Sequence, residues 1–480
     1  MLEEFLTELS ATISQLFTVI NRLILFEIRG IPLIVAWLIT AGVIFTAWMK
    51  VVNLRAFKHA IEVLLGQYDD RDDLGEVSHF QALATALSAT IGLGNIAGVA
   101  IAIRLGGPGA CFWMTVAGFL GMSSKFVECT LAQKYRIVHP DGTVAGGPMY
   151  YLSAGLAEIG QKTLGQILAV LFAIFALAGG LGSAVIFQAN QSRVAVANVF
   201  PIFTEQAWIY GLLITLLVGT IIVGGVRRIA QVAEALVPLM CGFYLLMVVW
   251  VLLSHWSAIP QVIQVIFQGI FSPEAATGGF VGAVIQGFRR SAFSNVAGLG
   301  VAAIAHATAR TKEPIREGIV ALLEPFIDTI IICNLTAFVI IITGAYNNPD
   351  WIQLDGADLA AVAFGSVISW FPYVLALILF LFACSTMISW GYYIQVSWQY
   401  LWGNQNTIIY KLTFLAAIFI GAIMSSEVVV QFGDALLLIT SIPNLLGAYL
   451  LSPQVAVELE DYFTRLKAGQ FRTLHEANQS

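Results

Sequence analysis

Charged residues are scarce in this 480-residue chain: Asp, Glu, Lys and Arg together make up 11%, against about 25% in an ordinary soluble domain. With 58% hydrophobic residues and a mean hydropathy of +0.84, that shortage excludes a soluble globular domain and implies an integral membrane protein. Lys and Arg are the scarcer sign, 23 against 29 acidic residues, so the footprint of a nucleic-acid binder is missing and no nucleic-acid partner is expected. Cysteine is sparse as well. Cys111, Cys129, Cys241, Cys333 and Cys384 stand singly in apolar stretches, with no CxxC or Cys/His grouping to indicate a metal site or a disulfide framework. They read as small buried hydrophobes. Neither HExxH nor GxSxG occurs, which leaves an enzyme reading without a motif. Residues 1–28 lack the basic start and small-residue cleavage site of a signal peptide. Glu3, Glu4 and Glu8 among Leu, Ile and Phe make an N-terminal amphipathic segment at the membrane interface the expectation.

What is present is a series of apolar runs, each near the roughly 20 residues that cross a bilayer. Spans are expected near 31–52, 80–105, 109–135, 164–198, 205–225, 230–254, 277–306, 316–345, 373–402, 407–424 and 427–451. The fold class is thus an all-α integral membrane protein of about eleven transmembrane helices, the first of them peripheral. The other ten divide into a first five-helix repeat at 80–254 and a second at 276–451, flanked by 29–79 (peripheral helix and linker) and a tail at 452–480. Five is odd, so the second repeat enters from the opposite side and the repeats are inverted. Basic residues set the orientation. Arg55, Lys58 and Arg71, Lys134 and Arg136, Arg227 and Arg228, Arg310, Lys312 and Arg316, and Arg465, Lys467 and Arg472 fall on one face of this arrangement. That face is taken as cytoplasmic, with the N-terminus outside and the C-terminus inside; Arg22 and Arg29, outside before the first span, are the exceptions. The connections at 255–276 and 346–369 carry no Lys or Arg.

A glycine-broken segment occurs twice. Ser88-Ala-Thr-Ile-Gly92-Leu93-Gly94-Asn95 lies in one span, and Ser294-Asn295-Val296-Ala-Gly298-Leu-Gly300 in another, 206 positions on. Glycine costs roughly 1 kcal/mol against alanine in a helix interior, and a broken helix in hydrocarbon survives only in protein or along a cavity. Two breaks at matching places in two halves point to the binding site of a secondary transporter. The alternatives are a plain kink or a small-residue packing seam. Gly92-Leu-Gly94-Asn-Ile-Ala-Gly98 also resembles a dinucleotide fingerprint, but no strand precedes it and the spacing is off by one.

Gly106-Gly-Pro-Gly-Ala-Cys-Phe-Trp-Met114 with Gly121, Ile91 to Ala100, Gly146-Gly-Pro-Met-Tyr-Tyr151, Phe293-Ser-Asn295 with Ala297 to Gly300, Phe326-Ile-Asp-Thr329, and Ser385-Thr386 with Trp390 together resemble the sodium:alanine (alanine/glycine:cation) symporters over residues 30–455. The resemblance implies a leucine-transporter-type fold and cation-coupled uptake of small amino acids such as alanine or glycine. It also implies a place in the plasma membrane, the inner membrane of a prokaryotic cell. The family usually has Glu where this chain has Val296, a small polar residue at Val301 and often Thr at Leu93, departures that touch both breaks.

Breaking a helix exposes amides at one half-helix end and carbonyls at the other, suited to a carboxylate and a cation respectively. Amides near Gly92, Leu93 and Gly94 are the expected carboxylate site, with Ser294, Asn295 and Gly298 at the second break. By resemblance, sodium is the coupling ion, held by carbonyls of Ser88, Ile91 and Phe382 and hydroxyls of Ser385 and Thr386; the plain alternative is back-bonding of the two hydroxyls to their own helix. Asn95 either offers its amide oxygen to a cation or caps the unwound backbone. Gln188 either touches substrate or bonds between helices. Phe293 and Trp390 resemble residues that wall the substrate cavity. No organic cofactor is expected.

Charges inside a membrane cost about 2.5–3.5 kcal/mol each on insertion scales, which singles out Arg289, Arg290, Glu128, Glu234, Glu324, Asp328 and Asp434. Arg290, Glu324 and Asp328 are candidate gating residues, with structural ion pairing as the alternative. His139, His255 and His306 fall at span ends and read as interfacial. The competing readings are a relative moving another small solute or using protons, and a non-transporting amino-acid sensor. About 25 residues after the last span are too few for a signalling domain.

Overall fold

The computed structural model describes residues 26–28, 31–70, 73–222, 224–271, 279–351, 353–354, 356–425, 429 and 435–471. Most of the expected amphipathic segment, and Asp434, lie outside the described residues. In hydrocarbon the backbone has no partner but itself, so apolar runs close their hydrogen bonds within helices. Among the described residues six helices are long and apolar enough to cross a membrane: Gly109–Lys134, Lys162–Ala197, Arg227–Ser254, Pro314–Ile342, Phe371–Trp402 and Ala435–Lys467. The pair His79–Thr90 and Leu93–Gly106, bent by 62°, makes a seventh if it is one span. The remaining expected spans fall on shorter helices, Leu33–Trp48, Ala207–Ile222, Gly279–Asn295 and Thr407–Ile423. Two helices, Ile259–Gly269 and Gly356–Gly365, form within stretches read as connections.

The elements that position the site are α1 (Leu33–Trp48), α2 (His79–Thr90), α3 (Ala97–Gly106), α4 (Gly109–Lys134), α5 (Lys162–Gly179), α6 (Phe187–Ala197), α7 (Gly279–Asn295), α8 (Ala303–His306), α9 (Pro314–Ala321), α10 (Phe371–Trp402) and α11 (Ser441–Lys467). α2 starts at a capping box: Ser78 Oγ accepts from Gln81 N, and Gln81 Oε1 accepts from Ser78 N, which satisfies two otherwise orphaned donors. It ends where Gly92 and Gly94 remove the cost of leaving the helix. Between α7 and α8 the chain unwinds through positive φ at Val296 (48°), Gly298 (84°) and Gly300 (79°). Two further segments, Gly180–Ile186 between α5 and α6 and Phe326–Cys333 after α9, are π-helical. Such widened turns concentrate at functional sites.

Gly300 is held by space as well as by φ. A Cβ there would lie 2.6 Å from Asn444 Oδ1 and 2.7 Å from Pro148 Cγ, whereas one on Gly469 (φ +68°) meets nothing within 4 Å. Gly300→Ala should therefore lose about 3 kcal/mol of stability, left-handed strain plus overpacking, and Gly469→Ala only the strain. Unfolding midpoints in detergent check this, and equal losses at both positions would refute the crowding at Gly300.

The five basic segments gather at one end of the molecule. Arg55 pairs with Glu460, Lys134 with Glu458, Lys312 with Asp73, Arg465 with Glu313, and Arg227 lies 3.8 Å from Glu76. At the same end the residues before α2 and after α8 run together. Glu76 N donates to Thr308 O (2.8 Å) and Arg310 N to Val77 O (2.9 Å), a parallel bridge between Val77 and Ala309. Arg136 donates to the carbonyls of Leu74, Ala307, Ala309 and Thr311, so one guanidinium staples both broken helices at their ends.

Candidate substrate and ion site

At the first break the chain leaves α2 through Ile91 and Gly92, makes one 3-10 turn at Leu93–Asn95 and re-enters helix as α3. Asn95 holds this turn. Its Oδ1 accepts from Gly92 N at 2.9 Å, and its backbone carbonyl accepts from Thr336 Oγ1 at 2.9 Å. Its Nδ2 reaches across to Asp328 Oδ1 (2.5 Å), Asp328 O (3.2 Å) and Ser294 Oγ (3.0 Å). Asp328 is the hub. Ser294 Oγ (2.6 Å) and Thr329 Oγ1 (2.7 Å) donate to its second oxygen. One fully buried carboxylate in the π-helical turn thus joins the first break, through Asn95, to the end of α7, through Ser294.

Asn295 faces elsewhere: its Nδ2 donates to Thr329 Oγ1 and Ser291 Oγ, and its Oδ1 accepts from Ala297 N. Gly298 turns towards Leu38 and Leu445, and its carbonyl accepts from Asn444 Nδ2. Both hold the unwound backbone rather than line the cavity, because the positive-φ turn after Asn295 swings the chain towards α1 and α11. Val296 takes φ 48° despite its branched Cβ, a conformation that costs of order 1–3 kcal/mol and persists only where its surroundings impose it.

Between the breaks lies a cavity of about 20 Å³ lined by Ala89, Thr90, Gly94, Ser183, Ala184, Gln188, Phe293, Val296, Thr386, Trp390 and Leu437, room for about one water. Gln188, Phe293, Trp390 and Gly94 are thereby brought together as the sequence anticipates. Gln188 Oε1 accepts from Leu93 N at 3.3 Å, so the amide expected to meet a carboxylate holds a neutral carbonyl oxygen. Trp390 Nε1 donates to Ala89 O (3.1 Å) and Phe293 stacks edge-on against Phe187. Gly92 is required by close approach: a Cβ there would meet Thr386 Oγ1 at 2.7 Å and Gln188 Nε2 at 3.0 Å.

Of the expected ion ligands, the side chains of Ser88 and Ser385 meet across α2 and α10, with Thr386 beside the Gly92 turn. Ser88 Oγ is 2.6 Å from Ser385 Oγ, donates to Ser385 O (3.0 Å) and accepts from Ser389 Oγ (2.8 Å). Thr386 Oγ1 is buried with no hydrogen-bond partner among the described residues, facing the Gly92 turn. An orphaned hydroxyl beside the carbonyl end of a broken helix suits a hard monovalent cation, which takes oxygen ligands. Ile91 and Phe382 are fully buried at the same junction.

Among the charged candidates, Arg290 is buried with its guanidinium 5.4 Å from the centre of the Phe293 ring. Glu324 pairs with Lys125 Nζ at 2.9 Å, so Glu324 and Asp328, although four apart, serve different clusters; the wider π turn separates them. Glu128 accepts from Asn444 Nδ2 and Glu234 from Gln81 Nε2. His306 is corrected by the structure. Expected at the interface, it has 0% exposure and lies between Glu317 and Glu324, because α8 is a single turn that leaves its end inside the bundle. Sequence reading also missed Lys125, Glu317 and Thr336, and gave Thr329 no role beyond its place in a quoted stretch. The apolar bias of the chain is the one signal that marked Lys125 and Glu317, since a buried charge demands a partner.

The profile of the sodium:alanine symporter family matches residues 11–476. The sodium/alanine symporter AgcS of Methanococcus maripaludis is 37% identical, over 90% of this chain and 94% of its own. A Bacillus subtilis protein named "Probable sodium/glutamine symporter GlnT" is 34% identical over 91% and 89%. In structure, the chain resembles MhsT, crystallised with L-phenylalanine, at a TM-score of 0.55 with 12% identity, covering 79% of this chain and 89% of that one. The bent α2–α3 pair and the unwound α7–α8 junction are accordingly parts of a leucine-transporter-type fold, and the chain belongs to the sodium:alanine symporter family, cation-coupled amino-acid transporters of the membrane and not enzymes.

Proposed function

We propose that this protein is a sodium-coupled symporter of small neutral amino acids, alanine and glycine foremost, working by alternating access. The observation that carries the reading is the small cavity between the two breaks, walled by Phe293, Trp390 and Val296. With room for about one water, the cavity must widen for any substrate, and a growing aliphatic side chain then meets those rings, where a clash discriminates more strongly than the ~1–3 kcal/mol of one methylene. In this reading the substrate carboxylate takes the place of Gln188 Oε1 on the Leu93 amide. Sodium binds among Ser88, Ile91, Phe382, Ser385 and Thr386, and its entry supplies about 2.3 kcal/mol per 100 mV.

The ten spans after α1 form two inverted five-span repeats, in the domains set out from the sequence. The end where the basic segments meet is the cytoplasmic side of a prokaryotic inner membrane, with the N-terminus outside. Glu76, Tyr150, Arg227, Tyr392, Gln395 and Gln399 are among the residues lining a cavity of about 760 Å³ at that end, a vestibule to which α10, the helix of Ser385 and Thr386, contributes three of those six. Arg290, Glu324 and Asp328 serve as gating residues by holding neighbouring segments together.

Uptake of labelled alanine and glycine into proteoliposomes, with and without an inward sodium gradient, tests the reading, with glutamine as the competitor that one relative's name supplies. Sodium-stimulated accumulation of alanine or glycine supports it; glutamine alone, or no sodium dependence in folded protein, overturns it. A hydrogen bond to a charged partner is worth roughly 1.5–3 kcal/mol. Replacing both Ser385 and Thr386 by Ala should therefore raise the sodium concentration for half-maximal uptake by tenfold or more, while the protein remains folded. Unchanged sodium dependence would remove these hydroxyls from the ion site.

A further inference from the structure

A second buried cluster lies away from the cavity, at the end where the two broken helices are stapled. His79, the first residue of α2, and His306, the last of α8, both address Glu317 on α9. His79 Nδ1 is bonded to Glu317 Oε2, and His306 Nδ1 lies 2.5 Å from Glu317 Oε1. The other ring nitrogen of His306, Nε2, lies 3.8 Å from Glu324 Oε2, and both atoms are buried with no hydrogen-bond partner among the described residues. Glu324 Oε1 is held by Lys125 Nζ on α4. His306, Glu317, Glu324 and Lys125 all have 0% side-chain exposure, and His79 3%.

A neutral imidazole has one N–H and one lone pair. His306 presents one nitrogen to each of two carboxylates, so whichever nitrogen carries the single proton, the other turns a lone pair towards a buried carboxylate oxygen. With both carboxyls ionised, only a second proton on the ring makes both contacts attractive. The charges facing the ring agree. α9 and the turn after it bring Glu317 and Glu324, and α4 brings Lys125 and, within coulombic reach, Glu128. Arg136, beyond α4, lies within reach of Glu317 but binds four backbone carbonyls. α2 brings His79, with Asp69 at 4.0 Å from its outer nitrogen. α10 brings the Tyr393 hydroxyl near Glu324. Two fully buried carboxylates, Glu317 and Glu324, face one ammonium, Lys125, and two imidazoles, so the cluster is short of positive charge until a ring takes a proton.

We infer that His306, Glu317 and Glu324 form a proton-binding site in which His306 is an imidazolium, fastening the end of the second broken helix to α9 as His79 fastens the first. The ligand is a proton, bound 58 residues or more in sequence from every residue of the proposed sodium set and on different helices from Ser88 and Ser385. The inference does not depend on which solute is carried.

The test is nitrogen NMR of the full chain in detergent with its histidines, six in number, labelled at the ring nitrogens. The His306 signal is identified by its loss in His306→Gln or, if that variant does not fold, by elimination through single variants at the other five. At about pH 8 an ordinary imidazole, titrating near 6.5, shows two distinct nitrogen environments. His306 should instead show the two equivalent protonated nitrogens of an imidazolium. A neutral ring at that pH would overturn the inference. Glu324→Gln removes one facing carboxylate and should lower the proton affinity of His306 at least tenfold; an unchanged affinity would equally overturn it. If Glu324→Gln does not fold, the native spectrum decides alone.

Discussion

Lys125→Met should lower the stability of the protein by about 3–5 kcal/mol, the loss found when one partner of a buried ion pair is removed. Lys125 on α4 and Glu324 in the turn after α9 are both fully buried, 2.9 Å apart. Removing the ammonium leaves a carboxylate in low dielectric near Glu128, facing the His306 ring at 3.8 Å without a hydrogen bond to it. The double replacement Lys125→Met with Glu324→Gln takes both charges away, and most of the stability should return, since well-packed neutral pairs often do as well as buried ionic ones. Unfolding midpoints in detergent for the two single variants and the double give the coupling. If the double variant is as unstable as Lys125→Met, the pair is not what holds α4 to the turn after α9.

Asp328→Ala should be comparably damaging and should abolish uptake as well. Asn95 Nδ2, Ser294 Oγ and Thr329 Oγ1 all donate to this carboxylate, and each buried donor left without an acceptor costs about 1–3 kcal/mol. Asp328→Asn is no rescue, because its amide nitrogen would face donors. Both variants should lose sodium-dependent alanine uptake at expression levels where Phe463→Ala, at the end of α11 away from Asn444, keeps it. Retained uptake in Asp328→Ala would show that the link between the two breaks is dispensable.

The first break was legible because two glycines in a membrane-length run have few other uses, and the structure bends the helix by 62° there. The second was legible from Gly298 and Gly300, whose positive φ no other residue adopts cheaply. Which side chains meet in the cavity was legible in part. Gln188, Phe293 and Trp390 arrive as the family resemblance implies, whereas Asn295 and Gly298 turn away once the chain passes Val296. The π-helical turns left no mark in the sequence, since a widened turn needs no special residue, and so Asp328 could not be placed at the hub. His306 read as interfacial because a span drawn as one straight helix ends there. The unwound stretch shortens α8 to four residues and keeps the ring inside. Of its carboxylate partners Glu324 was singled out and Glu317 was not, and nothing in a linear sequence pairs residues on helices whose order in space is unknown.

Those partners also arrive at different times. Lys125 precedes Glu324 by 199 residues, Arg136 precedes the Ala309 carbonyl by 173, and Asn95 precedes Asp328 by 233. At a synthesis rate of about 5–20 residues per second, the first half of the chain waits roughly 10–40 s before the residues that neutralise it have been made. During biosynthesis the nascent first half therefore carries a lone lysine, an unanswered arginine and an open turn. It must be sheltered by the insertion machinery or by neighbouring nascent helices until the second half is delivered, which makes the order of translation part of how this fold is reached.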